Sequence, residues 1–128
     1  MSSTDGDRPD DSAQRDGRED GREDGRQPAA RLAVTHDEAA QRYEGRLEGE
    51  LVALADYVPR PGADGEEGAV LAFVHTEVVP EHQDEGLASA LVDAALRDVR
   101  ERGLKVLPAC SFVRLHVRRH PERYADLL

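Results

Sequence analysis

Two places in this chain carry residues that could do chemistry. The first is the run Val78-Val79-Pro80-Glu81-His82-Gln83-Asp84-Glu85-Gly86-Leu87-Ala88-Ser89, where an apolar stretch gives way to an amphipathic helical pattern through a glycine-containing turn. Pro80 lacks an amide proton and stops strand pairing, while Gly86, Ala88 and Ser89 are small enough for a ligand to come close to the backbone. The first-turn amides of the following helix have no acceptor within it and lie at the positive end of its dipole. Such a loop suits an anion, phosphate above all. The second place is Cys110, the only cysteine, whose thiol becomes a nucleophile or acid only where its surroundings favour thiolate.

The elements that must position these residues are legible in outline. Strands are expected over residues 42–47 and 50–57, joined at Glu48-Gly49 as a hairpin. Residues 59–68 hold two prolines and three glycines and read as a surface loop leading to a third antiparallel strand over residues 69–77. From residue 86 to 102, Ala88, Leu91, Val92, Ala95 and Val99 form an apolar stripe, and Ser89, Asp93, Arg97 and Arg100 the opposite, solvated one. Gly103 is placed as a left-handed cap. Residues 105–107 then form a short strand, parallel to the third through a right-handed crossover.

The fold class is therefore α/β (α+β): a mixed sheet, antiparallel at first, closed by a βαβα unit with one parallel strand pair. Loops that follow two parallel strands lie on the same sheet edge, which puts Cys110 beside the 83–89 loop. If a helix starts near Ser111, the sulfur sits at its positive end, where thiolate is favoured. The plainer alternative is a cysteine packed as a small hydrophobe.

Composition limits what this chemistry serves. The 128 residues are 38% hydrophobic, contain no Trp and carry a formal charge of −10, enough for one modest core. Residues 1–28 hold nine acids and five arginines in a setting of Gly, Ser and Gln, with Gly-Arg-Glu-Asp at residues 17–20 repeated at 21–24. They cannot bury enough apolar area to offset ordering entropy, so a disordered tail is expected there and a folded domain over residues 29–128. An acidic chain is a poor partner for nucleic acid. No stretch reaches the roughly 20 apolar residues of a membrane span, and no secretory signal is evident, so a cytoplasmic protein is expected.

Val78, Pro80, Gln83, Gly86 and Ala88 match, in register, the pattern V-x-P-x-x-[Q/R]-x-x-G-x-[G/A], and the chain thereby resembles the GNAT superfamily of acetyl-CoA-dependent N-acetyltransferases. The segment Leu107-Pro108-Ala109-Cys110-Ser111-Phe112-Val113-Arg114, followed by Arg119-His120-Pro121-Glu122 and Tyr124 and taken with His75-Thr76-Glu77-Val78, looks like the small single-domain YjdJ-like branch, with Arg123 standing where that branch has Glu and Tyr adjacent. The resemblance implies acetyl-CoA as cosubstrate, held by Gln83, Asp84, Glu85, Gly86, Leu87, Ala88 and Ser89. It also implies that backbone around Val78 lines the pantetheine arm. A small-molecule or peptide amine would be the acceptor, in a site left open because the closing helices and strands of larger relatives are missing.

The proton-handling group stays open. Tyr43, Tyr57 and Tyr124 stand at none of the places where larger relatives carry a catalytic tyrosine, so Cys110 is the candidate, as a nucleophile carrying a transient acetyl group or as the acid that protonates the CoA thiolate. His75 and Glu77 share a strand face by alternation; His75 is either a proton relay or a satisfied, partly buried side chain. His116 and His120 are four apart but lack a third ligand, so no metal is expected. Arg114, Arg118 and Arg119 either reach the 3′-phosphate or form a solvated face. Besides the transferase, two other classes fit: a CoA-binding or acyl-sensing module without turnover, and an interaction protein whose acidic tail binds basic partners. Oligomeric state is not encoded legibly.

Overall fold

Glu48 and Gly49 both adopt left-handed backbone, φ 50° and 85°, which is the twist a tight hairpin needs. In the computed structural model, which describes residues 28–128, they join β2 (Arg42–Leu47) to β3 (Glu50–Arg60). The chain divides into two units, Met1–Arg31 and Leu32–Leu128. The first contributes one described element, the single turn α1 (Pro28–Arg31). The expected tail over residues 1–28 lies, but for Pro28, outside the described residues.

The second unit is a five-stranded mixed sheet in sequential order, β1 (Ala33–Asp37), β2, β3, β4 (Val70–Val78) and β5 (Lys105–Pro108). Pairing is antiparallel except between β4 and β5, which run parallel, with α2 (Leu87–Glu101) as the crossover. The mixed α/β class expected from the sequence is the class observed. Gly86 (φ 77°) and Gly103 (φ 74°) bracket α2 in left-handed conformations that other residues adopt only with strain. The core side of the sheet carries Tyr43, Ala53, Ala55, Tyr57, Leu71 and Phe73, packed against Leu91, Val92, Ala95, Leu96 and Val99 of α2. Helix α3 (Ser111–Arg119) adds Val113 and Val117, and α4 (Pro121–Tyr124) with the final turn (Ala125–Leu127) adds Tyr124 and Leu127.

Three departures from the sequence expectation have physical causes. Strand β1 was not anticipated; it is an edge strand, held by β2 and by His36, whose ring stacks on Tyr43 (centroids 4.3 Å apart) and whose Nε2 lies 2.6 Å from the Tyr57 hydroxyl. Strand β3 continues through Pro59, so the loop before β4 is shorter than residues 59–68. Tyr57 N–H donates to Gln41 C=O at 3.0 Å; two residues on, the Pro59 nitrogen faces the same side, beyond the last β2–β3 pair, where no ladder bond is lost. The polar stripe of α2 is partly covered rather than fully solvated: Asp93 accepts hydrogen bonds from the C-terminal elements, and Arg100 reaches Asp126.

The fourth strand holds a bulge. Asp56 pairs with His75 and Tyr57 with Phe73, leaving Val74 as an extra residue. Cross-strand partners share a face. Phe73, opposite Tyr57, therefore points into the core, and Thr76, opposite Ala55, does so too, while His75 is sent to the other face.

Candidate functional site

Strands β4 and β5 part where the bulge begins. Their register ends at Phe73 with Pro108, the last link being Cys110 N–H to Phe73 C=O at 2.7 Å. Beyond that point the two chains lead to two helix starts on one edge of the sheet, as a parallel βαβα arrangement requires.

The first helix start forms a cleft of about 350 Å³ lined by Val78, His82, Gln83, Asp84, Gly86, Leu87, Ala88, Ser89 and Phe112, within the ~300–1,000 Å³ range of small-molecule sites. Pro80–His82 form a 3₁₀ turn, and Asp84 (φ 69°) and Gly86 turn the chain into α2. No side chain caps that helix, and its first internal bond is Ala90 N–H to Gly86 C=O at 3.1 Å. The amides of Leu87, Ala88 and Ser89 thus lack helical acceptors, at the positive dipole end. The cleft edge is braced by His82 Nδ1 against Glu85 Oε1 (2.8 Å) and by Gln83 Nε2 donating to Val78 C=O (3.3 Å). Of the eight residues expected to hold the cofactor, the structure gathers Val78, Gln83, Asp84, Gly86, Leu87, Ala88 and Ser89 around the cleft; Glu85 supports it through His82.

Cys110 is the N-cap of α3, half-buried, with its Sγ 3.6 Å from Thr76 Oγ1. Burial by itself raises a thiol pKa, but the Val113 and Phe112 amides and the Thr76 hydroxyl outweigh it and hold this thiol below its ordinary range. The α3 residue that lines the cleft is Phe112, two positions on. Neither Phe112 nor His82 stands out in the sequence as a binding residue. His82 lies inside the motif already singled out, whereas Phe112 enters the cleft only because α3 docks beside α2.

His75 is exposed (side chain 55%) and bonds Glu77 Oε1 at 3.1 Å, so the pair expected from alternation forms, on the face away from Cys110 and out of the cleft. It is therefore not the partly buried residue of the plainer expectation. His116 and His120 do not share helix geometry: His120 is the C-cap of α3, with φ −133°, and His116 is taken by Asp93. Among the described residues, no group of three or more His, Cys, Asp or Glu is placed to hold a metal. Arg114 donates to Ala109 C=O, and neither it nor Arg118 nor Arg119 lines the cleft. No helix among the described residues is long and apolar enough to cross a membrane.

A family model described as GCN5-related N-acetyl-transferase matches residues 42–127. Among solved structures, a GCN5-like protein from Staphylococcus aureus is similar over 77% of this chain and 88% of its own, at 23% identity and a TM-score of 0.52, which supports the fold. A ribosomal-protein-alanine N-acetyltransferase from Brucella melitensis biovar Abortus 2308 matches at 24% identity and TM-score 0.48, covering 55% of this chain and 47% of that one. A GNAT family acetyltransferase from Brucella melitensis, solved with acetyl-CoA, matches at 20% identity and TM-score 0.48, over 64% of this chain and 53% of that one. The chain thus spans about half the length of these two larger enzymes. A search of curated proteins finds no match to it.

Proposed function

This chain belongs to the GCN5-related N-acetyltransferase family, and on that premise we propose that it transfers an acetyl group from acetyl-CoA to an amine. The observation that carries the reading is the cleft at the start of α2, where three amides without helical acceptors meet the positive end of a 15-residue helix behind a left-handed Gly86. That donor set fits a diphosphate. When bound, acetyl-CoA supplies an activated acetyl group; transfer joins the acetyl carbon to the amine nitrogen and breaks the carbon–sulfur bond, the sulfur gaining a proton and the nitrogen losing one.

The chain's own residues divide this work. In this reading the amides of residues 87–89 hold the diphosphate, with Gln83, Asp84, Glu85 and Gly86 shaping the loop, and the β4 backbone around Val78, parted from β5, faces the pantetheine arm. Cys110 handles the proton or the acetyl group on the core face of β4; its lowered pKa and its place beside Thr76 support that role. His75 takes the amine proton on the opposite face, where its imidazole is exposed and paired with Glu77. The acceptor approaches that open face, on which Val58, Val74 and Leu107 are exposed.

Membership of the YjdJ-like branch belongs to the same proposal. It rests on residues 107–114, on residues 119–122 and on Tyr124, which is buried against Asp93 although Arg123 intervenes after Glu122. So do a boundary near residue 28 and a cytoplasmic location, the latter consistent with a lone thiol. The test is mass spectrometry after incubating the protein with acetyl-CoA and an amine library. Acetylated product is expected; bound CoA without product would make the protein a CoA-binding module, and neither would refute the cofactor reading.

A further inference from the structure

Helices α2 and α3 both begin at the cleft, but no strand ladder ties one helix to the other. The tie lies one turn inward. Asp93 is four residues beyond Ser89 on α2, and His116 is four residues beyond Phe112 on α3, so each stands directly behind a cleft residue on its own helix. His116 Nε2 lies 2.8 Å from Asp93 Oδ1, and the residue is 7% exposed. Tyr124 O–H donates to the same oxygen, and Arg123 Nη1 is 3.6 Å away. The His116 ring meets three others: Phe112 nearly parallel (6.0 Å, 16°), His120 (5.0 Å, 60°) and Tyr124 (5.7 Å, 38°).

We propose that Asp93 and His116 are positioning residues that fix the Phe112 ring as the wall of the cleft opposite the glycine loop. The carboxylate sets the plane of the imidazole, since a hydrogen bond and three rings leave it one orientation. The imidazole then sets the ring stacked on it. Through this chain the first turn of α3, which also presents Cys110, is held at a fixed distance from the first turn of α2. Hydrogen bonds from Tyr124 and His116 outweigh the burial that disfavours charge and keep Asp93 ionised, so it acts as acceptor to both. That the clamp matters for cofactor binding rests on reading the cleft as the acetyl-CoA site; that it fixes Phe112 does not.

The chain has two phenylalanines, Phe112 and the fully buried Phe73, which allows a direct test. In full-length protein labelled with 4-fluorophenylalanine, ¹⁹F NMR of His116→Leu should move Phe112 toward its unfolded-chain position and leave Phe73 in place. The dissociation constant for CoA should rise about tenfold, the scale of one lost positioning contact. An unmoved Phe112 resonance in the folded variant overturns the clamp. If His116→Leu loses the Phe73 signal too, His116→Gln, which still donates to Asp93 but has no ring, must show the Phe112 shift, and its absence overturns the proposal equally. Failure of CoA to bind wild-type protein while the Phe112 shift persists refutes the cofactor reading and leaves the clamp standing.

Discussion

The Sγ of Cys110 lies 3.6 Å from the Oγ1 of Thr76, across the gap that opens where β4 and β5 cease to pair. Thr76 faces the sulfur because β4 accommodates Val74 as a bulge; were Val74 held in regular alternation from Phe73, Thr76 would turn outward and His75 inward. The bulging of one residue out of register thus decides which side chain meets the thiol.

Alkylation of Cys110 by iodoacetamide should follow a pH profile whose inflection lies below that of an ordinary thiol, because the thiolate is favoured by the Val113 and Phe112 amides and by Thr76. Thr76→Val should move the inflection upward. In the proposed transferase, Cys110→Ala should lower kcat by about 10²-fold or more with little change in CoA affinity. Full activity of that variant would reduce the thiol to a packing role.

Deleting Val74 should return β4 to regular pairing with β3 and keep Thr76 opposite Ala55, turned toward Cys110, because Phe73, His75 and Thr76 then alternate in, out and in. The alkylation inflection should then stay where it is in the wild-type chain, in contrast to Thr76→Val, which removes the hydroxyl itself. Circular dichroism checks that the sheet survives. A raised inflection in a folded deletion variant would show that the inward Thr76 alone does not set the thiol's environment.

CoA should raise the melting temperature of the wild-type chain, since a ligand at 100 times its dissociation constant adds about 2.7 kcal/mol. Gly86→Glu should abolish the rise: φ is 77° there, and the new carboxylate would stand at the anion's place. Thermal shift with and without CoA measures both effects. A folded variant that still responds would put the phosphate site elsewhere.

Acid should destabilise the fold through Asp93 and Asp98. Burial raises the pKa of each, but hydrogen bonds from Tyr124 and His116 to Asp93, and from Tyr43 and Arg102 to Asp98, more than reverse this, so both sit below the ordinary 3.8. Groups depressed in the folded state contribute stability that is fully present above the unfolded pKa and is lost as pH falls through the folded one. Urea midpoints should therefore drop from about pH 5 downward, and Asp93→Asn should flatten part of that slope. An identical slope in the variant would remove Asp93 from the account.

Core packing should outweigh the buried polar contacts. Leu91 is 0% exposed between sheet and helix, so Leu91→Ala should cost about 2–5 kcal/mol. Tyr43→Phe keeps the ring stacked on His36 and removes only the 2.7 Å bond to Asp98, which Arg102 still holds; about 0.5–1.5 kcal/mol is expected. Denaturant titration of the two variants would test the order.

Local patterns determined much of this protein. The Glu48-Gly49 hairpin, the helix between Gly86 and Gly103, and the parallel pair across it follow from turn chemistry, helical periodicity and crossover handedness, all of which act within a few residues or one connection. The loop proposed to hold the cofactor was legible as a glycine turn into a helix for the same reason: its amides and small residues are consecutive. Strand β1 was not, because an edge strand with little burial needs no strong apolar alternation and is stabilised by Tyr43 and Tyr57 from other strands. Asp93 read as a solvated helix residue because its partners, His116 and Tyr124, are 23 and 31 residues away and meet it only once α3 and α4 dock. The Val74 bulge has no residue signature of its own, yet it alone sets the faces of His75 and Thr76. Side-chain identities and the pitch of isolated elements are written in the chain, whereas register and inter-helix contact are settled by the packing of segments far apart in sequence.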